Sequence, residues 1–217
     1  MDSDLQSEPA GRRKPKGERT RQRILEAAES LFAERGYEGT TIAVVAKEVG
    51  IQQPGVFYYF ADKHSLYEAV VDEALGSVER TVLASLSGAG APGARLLRSV
   101  EAWVEAVASR PTLARLVLHE AANPNRGSVP AKLRAVGTRV FERFIGTLAD
   151  HHDAEIDEVD ALHFTSAMQG ATLFFVAANS QLVGGSPTLP LEPEAMQRHK
   201  ELMRATAQLL MRRARTS

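Results

Sequence analysis

Apolar residues recur at helical spacing along nearly the whole of this chain, and no stretch alternates apolar and polar between turn dipeptides. Sheet-based folds are thereby disfavoured, and the pattern predicts an all-α protein of about nine helices. Ile24, Ala28, Leu31 and Phe32 mark one face of a first helix from Thr20, stopped by Gly36. A second helix starts at Thr40 or Thr41, where either hydroxyl can cap it, and runs through Val45, Ala46 and Val49 to Gly50. A third, short helix opens near Pro54, with Val56 and Phe60 inward. Asp62 caps a fourth, carrying Leu66 to Val78. Beyond the linker Ser87–Gly93, amphipathic segments cover residues 94–109, 112–122, 129–149, 155–182 and 194–213. The stretch Gly184–Pro187 and the prolines Pro190 and Pro193 separate the last two.

The chain has 217 residues, 44% hydrophobic and 24% charged, as expected of one large or two small folded domains. Cysteine is absent, which excludes disulfides, zinc–thiolate sites and a thiol nucleophile. The longest nearly apolar run, Ala171 to Ala178, falls short of the ~18–20 residues that a membrane span requires. Met1 to Pro9 lack the apolar core of a signal peptide, so a cytoplasmic protein without membrane attachment is expected. The formal net charge of −1 conceals a segregation. Residues 11–23 carry +6 and the remainder −7. Residues 1–18, broken by Pro9, Gly11, Pro15 and Gly17, read as a flexible basic arm.

Ile42 to Phe60 has the layout that two crossed helices require. Ala46 is small at the closest approach and Gly50 permits the turn, while Val45, Val49, Ile51 and Val56 are placed to pack the pair together. The outward positions of the short helix are Gln52, Gln53, Gly55, Phe57 and Tyr58. Glutamine can pair with adenine edges, an aromatic ring can contact a thymine methyl, and Gly55 would let the backbone come close to DNA. Tyr59 and Lys63 fall where phosphates would lie. Helix–Gly–helix pairs also occur as plain structural elements. Yet Pro54 to Phe60 cannot bury four successive aromatics on one helix face, and exposed aromatics beside a basic arm point to nucleic acid.

These residues resemble the N-terminal domain of the TetR family of bacterial transcriptional regulators. The likeness rests on Ile24-Leu25, Ala27-Ala28, Leu31-Phe32, Arg35-Gly36-Tyr37, Thr40-Thr41-Ile42, Ala46, Gly50-Ile51, Val56 to Phe60 and Asp62-Lys63. The resemblance implies a three-helix DNA-binding domain over residues 19–65 and an effector-binding and dimerisation domain over 66–217. It also implies a capping threonine (Thr40 or Thr41) on a phosphate, a recognition helix from Gln53 through Pro54 to Tyr59 in the major groove, and Lys63 on the backbone. Arg19, Arg21 and Arg23 would add phosphate contacts. Several relatives carry histidine or arginine where Tyr58 and Tyr59 stand.

One short recognition helix contacts too few bases for specificity, so a homodimer reading a palindromic operator is expected. Ala167, Ala171, Phe174, Phe175 and Ala178 with Leu202 and Leu210 are the expected interface residues, within apolar faces that also hold Met196, Met203, Ala207 and Met211. The middle helices would enclose an effector, with Trp103, Leu116, His119, Phe141, Phe144, Phe164, Met168 and Gln169 as candidate lining. Their apolar, aromatic character favours a hydrophobic or amphipathic small molecule. His119 beside Glu120 could orient a ligand, or could be a solvated helix end before Asn123-Pro124. His151-His152-Asp153 reads as a surface loop rather than a metal site, and no catalytic constellation, cofactor motif or metal set is found. The expected function is a ligand-released repressor. Rival readings are a constitutive DNA binder or activator, and a helical carrier or enzyme with a vestigial DNA module.

Overall fold

The computed structural model describes residues 15–122, 129–153, 155–178, 186 and 188–213. Arg12, Arg13 and Lys14 of the basic arm, Asn123-Pro124 and Gly184-Gly185 lie outside the described residues. The helices are α1 (Lys16–Arg35), α2 (Ile42–Val49), α3 (Gln53–Phe57), α4 (Lys63–Ser87), α5 (Pro92–Ser109), α6 (Pro111–Ala122), α7 (Val129–His152), α8 (Glu158–Ala177) and α9 (Pro193–Arg213), with a 3-10 turn at Leu189–Leu191 before α9. Among the described residues there is no strand.

Local chemistry accounts for the boundaries. Gly36, at φ +70°, ends α1 with its N–H on the Phe32 carbonyl. Gly50 is left-handed at φ +74°. The Ile51 N–H then reaches the Ala46 carbonyl at 2.9 Å, the bond pattern that closes a helix through a left-handed residue. Asp62 and Ser65 exchange side-chain and backbone bonds in a capping box at the start of α4. Several boundaries differ from expectation: α3 ends at Phe57, not Tyr59, and Ser87 and Pro92-Gly93, expected in a linker, belong to α4 and α5. α1 begins at Lys16, not Thr20, so residues 16–18 belong to the helix; Thr20 lies inside it, its hydroxyl bonded back to the Lys16 carbonyl. α7 runs on through His151 and His152, which occupy its last turn instead of a loop.

A main apolar core runs through the described helices, and a second, smaller cluster joins Val107, Ala114, Leu173, Val176 and Ala177. Ile24, Leu25, Ala28 and Phe32 of α1 pack with Val45, Ala46, Val56 and Phe60, and this cluster continues along α4 from Leu66 to Leu86. α4 therefore serves both halves, and the 65/66 division falls within its first turn. α4 packs on α5 and α7; α5 packs on α9, and α6 bridges α1 and α8. Complete burial of a side chain such as Phe32 contributes about 1.5–3 kcal/mol.

Candidate nucleic-acid interface and internal cavity

The two glycine stops and the Asp62 cap hold α3 so that Val56 and Phe60 are buried while Gln52, Gln53 and Pro54 are exposed. Phe57 is 47% and Tyr58 83% exposed, a large unpartnered aromatic surface on a helix end. Tyr59 is half-buried, edge-on to Tyr58 with ring centroids 5.0 Å apart. Gly55 is half-buried between the exposed Pro54 and the buried Val56. A Cβ there would meet Cδ1 of Ile51 at 3.4 Å, an ordinary contact, so packing within the protein does not require glycine at this position.

Positive groups flank this surface, several already seated on protein partners. Lys63 Nζ lies 4.1 Å above the Tyr37 ring and the Arg21 guanidinium 5.2 Å above Phe60. Arg23 donates to the Val49 carbonyl at 2.7 Å, tying α1 to the C-terminus of α2. Arg19 is exposed on α1. The two threonines separate. Thr41 caps α2, its exposed hydroxyl accepting from the Val44 N–H at 3.3 Å. Thr40 has no exposed surface and its hydroxyl is directed at the Leu31 and Gly36 carbonyls, so the capping role expected of either residue falls to Thr41, and Thr40 presents nothing to a phosphate.

A cavity of about 110 Å³ opens between α4, α5, α6, α7 and α8. Trp103, Phe144, Phe164, Met168 and Gln169 line it as expected. The α4 wall of Leu75, Val78, Glu79 and Val82, and Leu133, Val136, Gly137 and Val140 of α7, were absent from the expected lining, because the apolar ones read as ordinary helix core. Leu116 lines a smaller pocket of about 10 Å³ that shares Leu75, Leu113, Val117 and Leu133 with the first. Phe141 and His119 line neither. His119 is exposed at the end of α6, its ring about 4.0 Å from where a Gly36 side chain would stand. Its neighbour Glu120 is buried and accepts from the Tyr67 hydroxyl. Glu79 accepts from Arg139 Nε at 2.5 Å, and this bond holds its carboxyl below the ordinary range.

The α8–α9 face also divides. Phe164 and Met168 turn inward, whereas Ala167 and Phe174 are exposed and Ala171, Phe175 and Ala178 half-buried. On α9, Met203, Ala207 and Met211 belong to the core. Leu202 is exposed; Leu210 is half-buried against the core, and Leu209 beside it is 66% exposed. Val159, Leu162 and Leu209 extend the exposed apolar surface and were missed in the sequence, where each reads as one of many apolar helix positions.

Residues 24–70 match the family described as bacterial regulatory proteins, tetR family. Solved structures of similar fold extend over most of the chain. A TetR family transcriptional regulator, PfmR, from Thermus thermophilus is 22% identical at a TM-score of 0.69, with 88% of this chain and 97% of that one covered. The ketosteroid transcriptional regulator KstR2 of Mycobacterium tuberculosis is 17% identical at 0.69, covering 92% and 98%. A bacterial regulatory protein in the tetR family from Rhodococcus is 24% identical at 0.64, covering 89% and 98%. At these identities the likeness establishes the fold.

Proposed function

We propose that this chain, whose N-terminal domain belongs to the tetR family of bacterial regulatory proteins, is a homodimeric repressor that binds a palindromic operator and is released by an apolar small molecule. The observation that carries the reading is the division of α3. Val56 and Phe60 anchor the helix in the core, while Gln52, Gln53, Phe57 and Tyr58 stand free on its other side. Thr41, Arg19, Arg21 and Lys63 surround that surface with phosphate-binding groups.

Release would act through α4 and α6, which form walls of the cavity and also hold the DNA-binding helices. Leu113 and Val117 of α6 line the cavity; Thr112 of the same helix and the adjoining Arg110 bind Glu29 of α1. A ligand that moves α6 would change the spacing of two recognition helices matched to half-sites about 34–36 Å apart. The 17%-identical KstR2 is named for ketosteroids, a class of apolar ligand compatible with this cavity's lining.

In vitro selection of duplex DNA on the full-length protein tests the reading. A palindromic consensus is expected, with Gln53→Ala and Tyr58→Ala losing affinity for it but not for random DNA. Equal loss on all sequences would remove α3 from base recognition.

A further inference from the structure

The small pocket beside the main cavity contains an unsatisfied charge carrier. Glu120 is only 8% exposed and lines this pocket. One of its carboxyl oxygens, Oε1, accepts from the Tyr67 hydroxyl. Oε2 is buried with no hydrogen-bond partner among the described residues. A buried carboxylate oxygen without a donor is costly, and the cost is removed by anything that brings one.

The residues around it state which donor fits. The two adjoining pockets are lined mainly by apolar side chains, with Ser99, Thr165 and Gln169 as neutral polar groups and Glu79 and Glu120 as the two carboxyl groups, and among the described residues no Lys, Arg or His contributes to either wall. Glu79 is already held by Arg139. Trp103 Nε1, a neutral donor, is likewise buried without a partner among the described residues, but the one uncompensated charge is that of Glu120: it repels a carboxylate or phosphate, whereas an ammonium would be both attracted and hydrogen-bonded. We infer that the ligand of this cavity is a lipophilic amine, its apolar body in the main cavity and its N–H donor on Glu120 Oε2. The inference rests on the ligand-binding reading above and narrows its chemistry.

Glu120 also stands at the end of a run of contacts towards the DNA-binding face. The Tyr67 ring packs 4.6 Å from Phe32 and 5.0 Å from Tyr37, and Tyr37 carries the Lys63 ammonium. An ammonium on Glu120 Oε2 draws charge from the carboxylate, weakens the bond that Oε1 accepts from the Tyr67 hydroxyl, and so acts on the support beneath Lys63.

Trp103, the one tryptophan of the chain, lines the main cavity, so its fluorescence reports occupancy directly. Full-length protein is titrated with octylamine, octanol and octanoate. Octylamine is expected to bind at least about ten-fold more tightly than octanoate, as a charge-assisted bond to a buried group predicts. In Glu120→Gln, which can still accept from Tyr67, the preference should disappear. Unfolding of the ligand-free proteins gives a second measurement, in which Glu120→Gln is at least as stable as the parent. Octanoate binding as tightly as octylamine, persistence of the preference in Glu120→Gln, or marked destabilisation by that change would each overturn the assignment while leaving an apolar effector possible. No response to any of the three would overturn the ligand cavity itself, and the amine with it. Glu120-dependent amine binding that leaves DNA affinity unaltered would instead uphold the ligand class and overturn its role as effector.

Discussion

The Arg110 guanidinium donates from Nε to both carboxylate oxygens of Glu29, at 2.8 and 2.9 Å, joining the start of α6 to the middle of α1. Thr112 adds its hydroxyl to the same carboxylate, and the bonds to Glu29 hold the Arg110 pKa above its ordinary value. The side chains are unequally placed. Glu29 is 7% exposed and Arg110 25%.

That inequality predicts an asymmetric response to substitution. Arg110→Ala strands a buried carboxylate and should destabilise by about 3 kcal/mol. Glu29→Ala leaves an arginine that reaches water and Glu73, and should cost about 1 kcal/mol. Denaturant unfolding of the two variants compares them; equal losses would show that burial does not govern the pair.

The two threonines at the start of α2 should separate in the same way. Thr40→Val removes a buried hydroxyl bonded to carbonyls, at a cost of about 1–3 kcal/mol, and the folded protein should keep its DNA affinity. Thr41→Ala removes a cap worth about 1 kcal/mol and should also weaken DNA binding. Chemical denaturation and operator titrations on both variants test the assignment, which fails if Thr40→Val is the one that impairs binding.

Lys63 should contribute to affinity without contributing to sequence choice. Lys63→Ala is expected to weaken operator and random DNA alike and to lower the slope of log K against log salt by about 1. A loss confined to the operator would place Lys63 on a base.

His199 predicts a pH dependence of stability. Its ring is buried, stacked 4.3 Å from Phe175 and within 3.2 Å of the Thr172 hydroxyl. Desolvation lowers its pKa from the ordinary 6.5, so the folded protein holds the neutral ring. The unfolded chain then binds the proton more readily. The contribution of His199 is complete above the unfolded pKa and is lost as pH falls below about 6.5 towards the folded value. Thermal unfolding between about pH 5 and 7.5 should show a steeper acid-side fall for the parent than for His199→Gln. Parallel curves would remove His199 as the source.

The exposed apolar face of α8 and α9 should close only against a second copy. Phe174→Glu or Leu209→Arg is expected to give a monomer by light scattering and to weaken operator binding sharply, because one half-site then acts alone. A dimer retained in both variants would place the interface elsewhere.

The helices and the helix–glycine–helix module were legible because they are local. Gly50 and Asp62 act on the few residues beside them, and the spacing of Val56 and Phe60 sets which side of α3 is inward. The choice between Thr40 and Thr41 was not legible, because it depends on what lies across the space from Thr40, the carbonyls of Leu31 and Gly36. Leu209 and Leu210 are adjacent and chemically identical, and only packing on the core shows that Leu209 is the exposed one.

By itself, then, the sequence determined an all-α chain with a helix–glycine–helix module, since period, caps and glycine stops are properties of neighbouring residues. Tertiary structure decided the rest: that Glu29 meets Arg110 from 81 residues away, that α4 forms a wall of the cavity, and that Glu120 rather than His119 faces its annex. The reason is physical. A helix pattern specifies which face is apolar, but the partner of a buried polar group is chosen by how whole helices cross, and crossing depends on every packed side chain at once.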